Sequence, residues 1–354
     1  ATRVGCVDLD AMVAFFVDEC GGRIESISPA DDPREVAVSL AGSMIRLCRA
    51  ERDDAIRFVV SDPDVATRTL VAPSGVVVEF RPQATEVAVP VARPSLSIVR
   101  AGDDFGTGRA GMEYRDLLPD RWGGTFVASH IRIAEGGDVA DYVHYHRIRF
   151  QMIYCARGWV DLVYEDQGEP FRLGAGDCVL QPPEIRHRVL RSSPGLEVIE
   201  IGCPAVHDTL VEHEITLPTA TFDPDRRFHG QRFVHHIAAR ADRRPYPQPG
   251  LVARDTGIGA ATNGLASAVV VDAEAMSDPV ELTHDGEFAF VVVLSGSAGI
   301  RIDGGGGVWE NRLADIDAVA VPPGAVWAWS DWTADFEFLE VSLPSAAVRS
   351  RRSR

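Results

Sequence analysis

The chain has 354 residues, 45% hydrophobic and 25% charged, the composition of a folded globular protein with material for two or three domains. Acidic residues outnumber basic ones 52 to 35, and the formal charge of -17 repels nucleic acid and anionic membrane surfaces, so neither is expected as a general partner. No apolar run approaches the ~20 residues of a membrane span, and the opening ATRVGCVDLDAMVAFF carries no basic leader or cleavage signature, so a cytoplasmic location is expected.

Six cysteines, Cys6, Cys20, Cys48, Cys155, Cys178 and Cys203, are scattered without CxxC pairs, which fits reduced thiols and not a disulfide scaffold. From the N-terminus, LDAMVAFFVDEC has apolar residues at helical spacing, and Gly21 and Gly22 stop it. EVAVSLAGSMIRLCR, AIRFVV and GVVVEFRP then read as strands. This order over residues 1–83, carried by VDLDAMVAFFVDECGGRIESI and PSGVVVEFRP, resembles one module of the vicinal-oxygen-chelate (glyoxalase-like) superfamily. That family places a metal-binding His on its first strand and a Glu on its last. Glu79 stands at the second position but Arg3 at the first, so the resemblance implies a structural or oligomerising α+β module.

Residues 84–95, ATEVAVPVARPS, hold two prolines and little periodicity and read as a linker. From there the pattern is all β: short alternating runs broken by Gly, Pro and Asp, as in a sandwich or barrel. No long amphipathic helix follows residue 210. The end RSRRSR, with Arg349, Arg351, Arg352 and Arg354, reads as a solvated, disordered basic terminus.

The β region repeats. LEVIEIGCP at 196–204 matches FEFLEVSLP at 336–344, and GDCVLQPPEIRH at 176–187 matches IDAVAVPPGAVW at 316–327, both offset by 140 residues. YCARGWVDLVYE and VLSGSAGIRID correspond at a slightly shorter offset. Two copies of one β unit explain this pattern.

The first copy carries the chemistry. His144 and His146 share one face of a strand, because side chains alternate. Gln151 opens the next strand with an amide oxygen, and His187 follows a Pro-containing turn. Imidazole suits Fe, Mn, Ni, Cu or Zn. The spacing is His-x-His-x4-Gln-x6-Gly, closed by Gly158, then Gly-x5-Pro-x4-His from Gly176 through Pro182 to His187. It resembles the two signature motifs of the cupin superfamily. Two departures stand out: Gln151 where the family has Glu, and Glu184 where it has Gly. The resemblance implies a mainly β fold of two jelly-roll barrels, a bicupin, with barrel 1 at 95–215 and barrel 2 at 220–345. It also implies metal ligation by His144, His146, Gln151 and His187. In the second copy the same positions hold Leu282, His284, Ala289 and Trp327, so that barrel is expected to be degenerate and metal-free.

Glutamine cancels no charge of a bound cation, so the site favours an anionic substrate bound directly to the metal. Tyr142 shares the parity of the histidines and is the expected catalytic phenol. Cys155 either lines the barrel or is a buried small hydrophobe. Arg147, Arg149, Arg186 and Arg188 point outward by parity; Glu200 and His130 have no assignable facing. His207, His213, His229, His235 and His236 lack ligand spacing. The leading function is an Fe(II) dioxygenase acting on a small anionic enol, diol or carboxylate. A redox-neutral isomerase, lyase or cyclase using Mn, Ni or Zn remains open, as does a non-catalytic metabolite binder. A homodimer is expected from sheet edges left to pair.

Overall fold

The computed structural model describes residues 1–62, 67–82, 87–304 and 306–351. The chain forms two compact units, 1–86 and 87–354. In the first, the strands Thr2–Cys6, Ser43–Arg49, Glu35–Leu40 and Arg23–Ser28 form one sheet in that order. Arg57–Asp62, Val77–Pro82 and Arg68–Val71 form a second. The helix Leu9–Ala14 starts because the Asp8 side chain accepts a bond from Ala11 N, filling an N-cap. It continues as a π turn over Phe15–Glu19 and ends at Gly21 in the left-handed region (φ +78°). Its apolar face, with Leu9, Met12, Phe15 and Phe16, closes over Val36, Val38, Ile45 and Leu47 of the sheet. Glu79 is ion-paired with Arg57, and Arg3 Nε lies 3.0 Å from Cys48 Sγ.

The second unit is a double barrel. In the first barrel a seven-stranded sheet contains Cys178–Leu180, Phe150–Arg157, Leu196–Cys203 and Val127–Ile133 as successive neighbours. It faces a sheet built from Phe171–Gly174, Trp159–Tyr164, His187–Ser192, His144–His146 and Thr209–Val211. The second barrel repeats this with Ala318–Ala320, Phe288–Ser295, Glu337–Leu343 and Ser267–Ala273, opposite Val308–Ala314, Ser297–Asp303, Val326–Ser330 and Leu282–Thr283. The two seven-stranded sheets share one core. Trp122, Phe126, Phe150, Met152 and Ile201 of one half pack with Val270, Phe288, Phe290 and Val341 of the other, and Phe126 stacks on Phe288 at 4.1 Å.

The barrels exchange edge strands, which the sequence boundaries did not foresee. Ser97–Val99, placed by the sequence in the first barrel, pairs with Ala318–Ala320 of the second. Val234–His236, placed by the sequence in the second, pairs with Cys178–Leu180 of the first. Each exchange covers an otherwise open sheet edge. The basic terminus is likewise not free where it is described. Arg349–Ser350 pairs with Leu282–Thr283, and Arg349 is bidentate to Asp285 at 2.7 and 2.8 Å; Arg352 and Arg354 lie outside the described residues.

The motif glycines keep their role in both copies. Gly158 sits at φ +73°, where a Cβ would come within 2.3 Å of Ser193 Oγ; Gly296 repeats this at φ +67° against Thr333 Oγ1. Glu184 takes up the left-handed conformation (φ +63°) that Gly324 adopts in the second copy (φ +81°). The turn is therefore kept despite the missing glycine, at a cost of about 1–2 kcal/mol. Glu184 N donates to the His146 carbonyl and its carboxylate accepts from Arg147 Nε.

Candidate metal centre

The register that builds the barrel builds the site. His144 lies directly across from His187 on antiparallel strands, and His146 is two residues along the same face. One ring nitrogen from each of the three lies within 4.8 Å of the others. The ring centroids are 4.2 Å (His144–His187) and 5.2 Å (both pairs with His146) apart. All three rings are buried, and burial holds each pKa below the ordinary imidazole value, that of His146 down to about 2. They are therefore neutral imidazoles with a lone pair to offer.

The tautomers of His144 and His187 are fixed from behind. His144 Nδ1 donates to the Tyr142 carbonyl at 2.8 Å, and His187 Nδ1 to the Ile185 carbonyl at 2.9 Å. His146 Nδ1 is engaged by the Thr209 hydroxyl at 3.1 Å. Nε2 is thus the nitrogen left facing the cavity, the arrangement that metal-ligating histidines use. Tyr164 lies across from His187 and stacks on its ring at 5.5 Å.

Gln151 lines the same cavity. Its Nε2 donates to Glu200 Oε1 at 2.6 Å, and its Oε1 is buried without a partner. An unpaired buried carbonyl oxygen costs about 1–3 kcal/mol. A cation beside it would remove that cost, so three imidazole nitrogens, that of His144 at present held by Arg109, and one orphaned oxygen suit a divalent transition metal. Glu200 holds the amide from its nitrogen side and puts a carboxylate one hydrogen bond behind Gln151.

Several site residues carried no sequence signal. Arg109 donates from Nη2 to His144 Nε2 at 2.8 Å and from Nη1 to the buried Asp141 Oδ1 at 2.6 Å. Asp141 Oδ2 also accepts from Val189 N at 3.0 Å. The guanidinium thus occupies one of the nitrogens a metal needs. Tyr114 lines the cavity, and burial raises its phenol pKa above the ordinary value, so it stays protonated. Its ring packs so closely on Gly108 that a Cβ there would come within 2.2 Å of it. His207, set aside at the sequence level, lines the cavity with its ring 5.2 Å from His146. An acid inside the apolar run LEVIEIGC was the one visible hint at Glu200; Arg109, in a short 3₁₀ turn, had none.

Tyr142 lies at the margin of the site. Its side chain is 47% exposed and does not line the cavity. The strand begins at His144, so the alternation that would have aimed Tyr142 inward does not reach it. The Tyr142 ring stands edge-on to the His144 ring at 6.0 Å, and its carbonyl accepts from His144 Nδ1. Cys155 is buried among Val160, Leu173 and Val179, outside the cavity wall, and burial pushes its thiol up to about 12. Arg147, Arg149 and Arg186 are bound to Glu184, Glu287 and Glu212, away from the ligands. His130 bridges Arg115 and Glu197.

The second barrel shows the same register without the donors. Leu282 faces Trp327 as His144 faces His187, and Ala289 stands across from Ser342 as Gln151 does from Gly202. Trp327, Trp329 and Trp332 fill the interior with Phe336 and Phe338. His284 Nε2 donates to the Val321 carbonyl at 2.7 Å, and Glu287 is taken by Arg149.

No family model matches the chain, and no curated protein does. Among solved structures, it is similar to procruciferin, an 11S globulin from Brassica napus: TM-score 0.51, 11% identity, 72% of this chain and 85% of that one. A deletion mutant of Bacillus subtilis oxalate decarboxylase OxdC gives TM-score 0.53 at 12% identity, covering 75% of this chain and 81% of that one. The protein Ylba from E. coli gives TM-score 0.50 at 12% identity, over 73% and 94%. Together with the two barrels described above, these neighbours identify residues 87–354 as a bicupin fold.

Proposed function

We propose that the first barrel binds one divalent transition metal through His144, His146 and His187 Nε2 and Gln151 Oε1, and that the protein is a metal-dependent enzyme. The single observation that carries this is the buried, unpartnered Gln151 oxygen beside three neutral imidazoles. The finer reading is an Fe(II) dioxygenase acting on a small anionic enol, diol or carboxylate. Bound there, iron would supply one-electron chemistry toward O₂, and Mn, Ni or Zn would supply Lewis-acid polarisation of a substrate oxygen. An oxalate decarboxylase neighbour is described as having Mn(II) centres, which keeps manganese in view.

The chain's own groups would do the rest. Arg109 and Arg121 line the cavity and offer cations to an anionic substrate. Tyr114, protonated and beside the cavity, would donate a proton or a hydrogen bond to a developing oxyanion. Asp141 holds Arg109, and Glu200 holds Gln151. The pairing of a neutral phenol with a nearby carboxylate also favours the second reading, a redox-neutral isomerase, lyase or cyclase. Residues 1–83 are read as a glyoxalase-like module, and a cytoplasmic homodimer completes the proposal.

The test is oxygen uptake by the Fe(II)-loaded protein over a panel of 2-hydroxy- and 2-oxo-acids and catechols. Substrate-dependent uptake, lost in His187→Ala, supports the dioxygenase. Turnover of the same compounds without O₂, with Mn, Ni or Zn as well as Fe, replaces it with the isomerase or lyase.

A further inference from the structure

The cavity above the histidines has a volume of about 350 Å³, within the range of small-molecule sites. Its wall is not uniform. Along Phe150–Arg157 the inward side chain after Gln151 is Ile153. On the neighbouring antiparallel strand, running the opposite way in sequence and so the same way in space, Glu200 gives way to Val198 and Leu196. On the next, Ser129 gives way to Ile131 and Ile133. The opposite sheet does the same: His187 is followed by Val189, and on its partner strand Tyr164 by Leu162 and Val160. Each of these five strands passes from a polar to an aliphatic residue along the cavity, with the change staggered between strands: Glu200 and Ser129 stand level with Ile153, and Val127 lies level with Gln151.

A compact dianion such as oxalate would use only the polar level and would leave the aliphatic wall facing water. That wall is a poor solvent for charge and a good one for hydrocarbon. We infer that the ligand of this barrel is amphipathic: one chelating, anionic head at the histidine level and an apolar body, aliphatic or aromatic, lying against Ile153, Val198, Ile131, Leu162 and Val160. This rests on the metal-binding reading of the site. It separates this cavity from a site for a small dicarboxylate, although the neighbours include an oxalate decarboxylase.

The test uses Co(II)-loaded full-length protein, read by the cobalt visible spectrum and by calorimetry, so no turnover is needed. The probes are oxalate, 2-oxobutanoate, 2-oxohexanoate and phenylpyruvate. Each added methylene should tighten binding roughly fourfold, so 2-oxohexanoate should bind about fifteenfold tighter than 2-oxobutanoate, with phenylpyruvate tighter than oxalate. In Ile153→Asn the gain with chain length should shrink. If the cobalt spectrum responds to every probe but wild-type affinity is flat with tail length, or highest for oxalate, the amphipathic inference is overturned while the metal reading stands. If cobalt does not bind, the metal reading falls and takes the inference with it.

Discussion

Replacing Gln151 by glutamate would restore the residue type that the cupin motif has at this position, but here it should not give a simple four-ligand site. Buried Gln151 Nε2 and half-buried Glu200 Oε1 are 2.6 Å apart. Two carboxylates at that separation repel by about 6 kcal/mol at an effective dielectric near 20, roughly four pH units of proton affinity. The pair in Gln151→Glu therefore keeps one shared proton through neutral pH in the metal-free protein. Metal binding must release it. Calorimetric metal titrations at pH 7 in two buffers of different ionisation enthalpy should report about one more proton released by Gln151→Glu than by Gln151→Glu/Glu200→Gln. The double variant reverses donor and acceptor and carries no like-charge pair. Equal proton release by the two would refute the claim that Glu200 dictates the amide at position 151.

Further outcomes follow from other parts of the fold. The three site imidazoles have lowered folded-state pKa values, so the unfolded chain binds more protons below its ordinary value of about 6.5. Metal-free protein should then lose stability as pH falls through 6.5, by at most about 4 kcal/mol per pH unit if all three contribute, with a thermal-melt pH series as the check. Glu340, buried and accepting the Tyr246 hydroxyl at 2.5 Å, has its carboxyl raised by burial to about 7. Its contribution is present below the unfolded value and lost as pH rises through 7. Glu340→Gln should accordingly raise the melting temperature at pH 8, by up to about 3 kcal/mol of stability, and change little at pH 5. Gly108→Ala should displace the Tyr114 ring, which a Cβ would approach within 2.2 Å. Turnover should fall in Gly108→Ala with metal content unchanged, measured by paired activity and elemental analysis.

How much of this was legible beforehand depends on what each feature requires. The convergence of His144, His146 and His187 follows short-range alternation and a turn, so their spacing together with the cupin resemblance pointed to it. Leu282 and Trp327 were legible as lost ligands because the repeat carries its register with it. The facing of Tyr142 could not be read from parity, which holds only inside a strand, because the strand starts two residues later. Arg109 acts from a 3₁₀ turn with no period to read. Glu200 needed the pairing partner Ile153 to place it on the cavity wall. The exchanged strands Ser97–Val99 and Val234–His236 were hidden because pairing between segments more than fifty residues apart leaves no local trace.

The most direct measurement is an anomalous difference map from crystals of the protein loaded with Mn(II) or Co(II). The account predicts one strong peak in the first barrel, about 2.0–2.2 Å from Nε2 of His144, His146 and His187, with Gln151 Oε1 turned toward it and Arg109 withdrawn from His144. A clean map with no peak there, and Arg109 still bonded to His144, would contradict it.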